Sequence, residues 1–122
     1  MAIEYKIQMQ EDLLYVVASG FDENLEEVQA YGQAVIDACL KHQCRRILTD
    51  ERRLRYELST LETYELVKYY EKHTSMVVRV AIVCHPEYFE DAYFWETASQ
   101  NRGLFFRAFS EMEKAREWLG LL

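Results

Sequence analysis

The sequence predicts an α/β fold: a mixed, mostly parallel five-stranded sheet with four helices, in the order β-β-α-β-α-β-α-β-α. Three observations predict it. The chain opens with apolar residues at period two. Stretches with apolar residues at helical spacing then alternate with short runs rich in Val, Ile and Leu. The most apolar of these runs, Val77 to Cys84, has a helical stretch on either side, as a central strand covered on both faces would.

Each element has its own signal. Ile3, Tyr5, Ile7 and Met9 put one apolar face on a first strand. Gln10-Glu11-Asp12 breaks it, and Leu13 to Ser19 follows as its antiparallel hairpin partner. Gly20-Phe21-Asp22 ends that strand, and Asp22 is expected to cap the first helix, with Glu23, Glu26 and Glu27 complementing the helix dipole. Leu25, Val28, Val35, Ile36, Cys39 and Leu40 form its inner face, and Lys41 and His42 suit its end. Arg46 to Asp50 reads as a short third strand and Glu51 to Glu57 as a charged loop. Ser59 and Glu62 carry a capping-box signature before a helix from about Thr60 to His73. Pro86 cannot continue the fourth strand. A third helix is expected from about Tyr88 to Asn101, with Gly103 in a left-handed position beyond its end. Leu104 to Phe109 is the last strand. Ser110 and Glu113 look like a second capping box, before a helix whose inner face is Met112, Ala115, Trp118 and Leu119.

Composition excludes several classes. A chain of 122 residues suits one domain, 1–122, and half its residues are apolar, enough for one core. With 14 basic and 21 acidic side chains the formal charge is −7, which disfavours nucleic acid or an anionic membrane surface as partner. No run is long and apolar enough to span a bilayer, and the start has no signal-peptide pattern, so a cytoplasmic location is expected. Three cysteines, Cys39, Cys44 and Cys84, do not make a disulfide framework. No phosphate-binding glycine motif is present and no cofactor is expected. Cys39 and Cys44, with His42 between them, lack the second ligand pair that structural zinc requires, so no metal is expected.

Taken together, the opening strand pair with Gly20-Phe21-Asp22, the strand ending in Asp50, the Val78–Cys84 strand and the ending from Asn101 to Leu119 resemble the SpoIIAA-like STAS superfamily, in its compact bacterial branch. The resemblance covers nearly the whole chain. It implies a regulatory or binding module rather than an enzyme. It also implies a phosphorylated Ser or Thr at the start of the second helix, as in anti-sigma-factor antagonists, and the nearest match here is Ser59 with Thr60 beside it. The D-S-S-G type motif of those proteins is absent; Glu51 to Leu58 precede Ser59 instead. The architecture is shared with Sec14-like lipid carriers, which implies an apolar ligand as a further alternative.

Other residues carry competing readings. Phosphate on Ser59 or Thr60 would be stabilised by the helix N-terminus and by Arg52, Arg53 or Arg55 nearby; the plain reading of Ser59 is a cap. Arg52, Arg53 and Arg55 follow a strand's C-terminal end, where anionic ligands bind in open sheets, but Asp50, Glu51 and Glu57 nearly neutralise them. Cys84 and His85 are a thiol and a base in adjacent positions, which on a strand point to opposite faces. Tyr88, Phe89, Tyr93, Phe94 and Trp95 exceed what one buried helix stripe needs, which points to a partner or ligand surface; the plain reading is core packing. The expected function is a non-catalytic regulatory or protein-binding module that binds a protein partner or forms a homodimer. The alternative is a carrier of a small apolar ligand or lipid, with the aromatic helix as its lid; an enzyme using Cys84, His85 or the arginine run comes third.

Overall fold

A computed structural model of the protein describes residues 2–22, 24–74 and 78–121. The elements are β1 (Ile3–Gln10), β2 (Leu13–Phe21), α1 (Leu25–His42), β3 (Arg46–Arg55), α2 (Thr60–His73), β4 (Arg79–Cys84), α3 (Phe89–Gln100), β5 (Phe105–Phe109) and α4 (Met112–Trp118), with one 3-10 turn at Pro86–Tyr88. This is the expected α/β order, with a five-stranded mixed sheet.

The strands lie side by side in chain order, β1-β2-β3-β4-β5. β1 runs antiparallel to β2, and every other pairing is parallel. Because the sheet grows in a single direction, right-handed crossovers put each connecting helix on the same face. α1, α2 and α3 accordingly share one face and bury the main core, which includes Leu14, Val16, Ile47, Val67, Ile82 and Trp95. α4 alone covers the other face, packing Ala115 and Leu119 against Leu13, Leu48, Ala81 and Val83. Arg79 lies over the Trp118 ring at 4.3 Å and fastens α4 to β4.

Local chemistry accounts for most element ends. Glu11 at φ 60° makes the β1–β2 turn. Ser59 Oγ accepts from the Glu62 N–H at 3.2 Å and Glu62 Oε1 from the Ser59 N–H at 3.0 Å, so the capping box of α2 is complete. Gly103 takes φ +80° after α3, the left-handed region expected of it.

Four expectations are corrected. The N-cap of α1 is Asn24, whose Oδ1 accepts from the Glu27 N–H at 3.1 Å; Asp22 is two residues too early and is committed elsewhere. Ser110 and Glu113 form no capping box, because α4 starts after Glu111, which shifts both residues out of the required frame. Tyr88 belongs to the 3-10 turn, where His85 Nδ1 accepts from the Glu87 N–H at 3.0 Å, and α3 starts one residue later. The stretch read as a charged loop is strand up to Arg55, since β2 extends far enough to pair with it. Glu23 and Val77 lie outside the described residues. Among the described residues no helix is long and apolar enough to cross a membrane.

Candidate functional site

The site begins at an irregularity in β3. Val17 pairs with Asp50 and Ser19 with Arg53, so β3 advances three residues while β2 advances two. The extra residue is a β-bulge, a device that re-aims side chains. Glu51 and Leu54, three residues apart, would face opposite sides of a regular strand. Here both point toward the helices. Leu54 joins the main core, and Glu51 receives hydrogen bonds from the Tyr31 hydroxyl of α1 at 2.9 Å and the Tyr56 hydroxyl at 2.5 Å.

Glu51 is buried, and so is Asp22, at the end of β2. The Asp22 carboxylate accepts the Glu57 N–H, and the Asp22 N–H donates to the Arg55 carbonyl at 3.0 Å. Together these bonds tie β2 to the segment leading into α2. Neither acid forms an ion pair with a described lysine or arginine. Burial raises the Asp22 carboxyl from 3.8 to about 7, against the pull of the Glu57 and Leu58 N–H groups and with the Glu51 charge adding to the rise. Burial also raises Glu51, more than the hydroxyls of Tyr56 and Tyr31 lower it. Burial, then the neighbouring Glu51, holds both phenols well above their ordinary range, so they stay protonated and act as donors.

These residues close one end of a cavity of about 130 Å³ between α1, α2, α3 and the sheet. Its walls are mostly apolar, with Val28, Val35, Ile36, Leu66, Ile82 and Phe106 among them. Leu40 and His73 also line it and are exposed, so it reaches the surface near the C-terminal ends of α1 and α2. Gly32 of α1 lets α2 come close: a Cβ there would lie 2.2 Å from the Tyr70 hydroxyl. The result is an apolar chamber with two buried acids and donor-committed tyrosines at one end, where burial shifts the acids' proton affinity.

The expected site residues fall in several places. Arg52, Arg53 and Arg55 are exposed and share a shallow surface depression with His85 and Tyr88; the arginines lie in the last residues of β3 itself rather than after its end, because the strand runs on to Arg55. Arg52 is held by Asp50 at 2.7 Å, and Arg55 stands 3.8 Å from Glu57. Ser59 and Thr60 are exposed at the start of α2, with the Ser59 hydroxyl used in the cap. The aromatic set divides. Trp95 is buried, stacks on Phe106 with ring centres 5.1 Å apart, and lines the cavity. Tyr88 packs on Tyr56 at 5.7 Å. Phe94 is exposed, and Phe89 stacks on Tyr93 at 6.2 Å, leaving Tyr93 56% exposed. Cys84 is fully buried, and burial pushes its thiol up to about 11; the His85 ring turns to the Glu87 N–H instead. Burial also raises Cys39, to about 12, with its Sγ donating to the Cys44 carbonyl. Among the described residues no group of His, Cys, Asp and Glu is arranged to hold a metal.

The buried acids are not visible as a site in the sequence. Asp22 looks like a helix cap and Glu51 like part of a charged loop. The one available signal was the alternation Ile47, Thr49, Glu51, which places Glu51 on the inner face once the strand is extended.

No protein-family model matches the sequence, and a search of curated proteins finds no match. Solved structures do match. An anti-sigma factor antagonist from Mycobacterium paratuberculosis superposes with a TM-score of 0.66 at 15% identity, over 97% of this chain and 94% of that one. A protein of the DUF3478 family with a SpoIIAA-like fold, from Shewanella loihica PV-4, superposes with a TM-score of 0.56 at 21% identity, over 97% and 94% of the two chains. With its strand order, its antiparallel edge and its helices three to one across the sheet, the chain has a SpoIIAA-like fold.

Proposed function

We propose that this chain is a non-catalytic binding module on a SpoIIAA-like fold, and that its binding centre is the chamber between α1, α2, α3 and the sheet, with a small apolar molecule as ligand. The cavity carries this reading. Protein interiors normally leave few voids larger than a water molecule, and an unfilled one costs stability. A volume of about 130 Å³ is close to the roughly 150 Å³ of an engineered apolar cavity that binds benzene. The non-catalytic part is supported by a Cys84 that burial holds as a thiol, and by a Glu51 that accepts from two tyrosine hydroxyls.

Native mass spectrometry of protein purified without denaturant tests the reading. A co-purified small molecule, or a mass increment on adding toluene that is lost in Val35→Phe, is the expected result. A bare chain that takes up no apolar probe contradicts it.

A second reading is favoured by a different observation, the exposed Phe89–Tyr93 stack on α3. Exposed apolar patches mark interfaces, and one fold neighbour is an anti-sigma factor antagonist. In this reading α3 docks a protein partner or a second copy, Ser59 or Thr60 takes a phosphate that switches the docking, and Arg52, Arg53 and Arg55 contact an anionic group. Light scattering across a concentration range, on the wild type and on Tyr93→Ala, separates self-association from a monomer.

A further inference from the structure

The charges around the chamber are one-sided. Asp22, Glu51 and Asp91 line it, and no lysine or arginine does among the described residues. His73, which also lines it, is exposed and donates from Nδ1 to the Tyr69 carbonyl at 2.8 Å. Asp22 and Glu51 are each 8% exposed, so water screens neither well. A buried carboxylate is stable when paired with a cation, and costly without one. Glu51 has acceptor capacity to spare: a carboxylate offers about four lone-pair sites, and two tyrosine hydroxyls use two. Tyr31, Tyr56, Tyr70 and Trp95 line the same space. Aromatic rings of this kind attract a cation through their quadrupole, most strongly where water is excluded.

We propose that the chamber recognises a small apolar amine, its ammonium head paired with Glu51 and Asp22 and its hydrocarbon body lying between Val28, Val35 and Trp95. The inference rests on the ligand-binding reading above and adds the chemistry of the ligand. An ammonium brings three donors and the positive charge that the acids lack. A neutral hydrocarbon fills the same volume but leaves both acids unpaired. A carboxylate of the same shape brings a negative charge up to two acids and offers them no donor. The volume fits one ring, so an arylmethylamine is a fair probe.

Isothermal titration of the intact chain with benzylamine, toluene and benzoate tests this, on the wild type and on Glu51→Gln and Asp22→Asn. The expected result is benzylamine binding about tenfold or more tighter than toluene, because charge-assisted hydrogen bonds are the strong ones. Benzoate shows no binding. Each variant weakens benzylamine more than toluene and so narrows the gap between them. Asp22→Asn keeps an acceptor for the Glu57 N–H, so it serves if Glu51→Gln does not fold. Toluene binding as tightly as benzylamine, or benzylamine binding that neither variant weakens, overturns the amine assignment; toluene bound in the chamber leaves the ligand-binding reading standing. If no probe binds the wild type, both fall.

Discussion

Asp22 shows how one residue couples folding to protons. Its carboxyl sits at about 7 in the folded protein against an ordinary 3.8, with burial the main cause. The folded state therefore holds a proton that the unfolded chain releases across this range. Stability is greatest below the unfolded value, falls as pH rises from about 4 to about 7, and levels off above. The full difference is worth on the order of 4 kcal/mol. This slope runs opposite to that of a carboxylate held by a cation, and the raised Glu51 adds to it in the same sense. Asp22→Asn removes the titrating group and keeps an acceptor, so urea unfolding at pH 5, 6, 7 and 8 is expected to give a shallower slope than wild type and higher stability at pH 8. A variant whose slope equals that of wild type would show that Asp22 is not the group responsible. The same residue shows why the site is hidden in the sequence. An Asp after Gly-Phe and just before a helical apolar pattern has the chemistry of a cap, and only the position of Asn24 frees it for another role.

At the scale of elements, regular periodicity was legible and its interruption was not. β1 alternates cleanly and pairs with β2 without a break. α2 begins where its capping box says it does. β3 is different, because its bulge puts Glu51 and Leu54 on one face and breaks the period-two signal within Glu51-Arg52-Arg53-Leu54. A run of charges there reads as a loop, although pairing with β2 keeps it extended to Phe21 and Arg55. The contact between α1 and α2 shows a second hidden feature. Gly32 sits inside a helix, where glycine costs about 1 kcal/mol relative to alanine, yet its missing Cβ makes room for the Tyr70 ring. Gly32→Ala gains helix propensity and forces a buried ring to move, and the second effect is larger. The expected outcome is a net loss of about 1–3 kcal/mol in thermal or urea unfolding, the usual cost of overpacking. A more stable Gly32→Ala protein would mean that Tyr70 shifts freely.

At the scale of the whole molecule, the direction of sheet growth decides where the chamber lies. Three crossover helices on one face leave α4 to cover the other, and the space enclosed by α1, α2 and α3 is walled by segments from Asp22 to Phe106. Fold class and element order follow from local patterns and were legible for that reason. A cavity depends on how distant segments fail to fill a volume, which no local pattern encodes. The aromatic residues of α3 illustrate the division: their surplus was evident from spacing, but only packing assigns Trp95 to the chamber and Tyr93 to the surface. The most direct test of the chamber is nuclear Overhauser contact between added toluene and assigned side chains of the intact protein. Contacts to Val28, Val35, Ile36 and Trp95 are the expected result. Contacts confined to Phe89 and Tyr93, or none at saturating toluene, would contradict it.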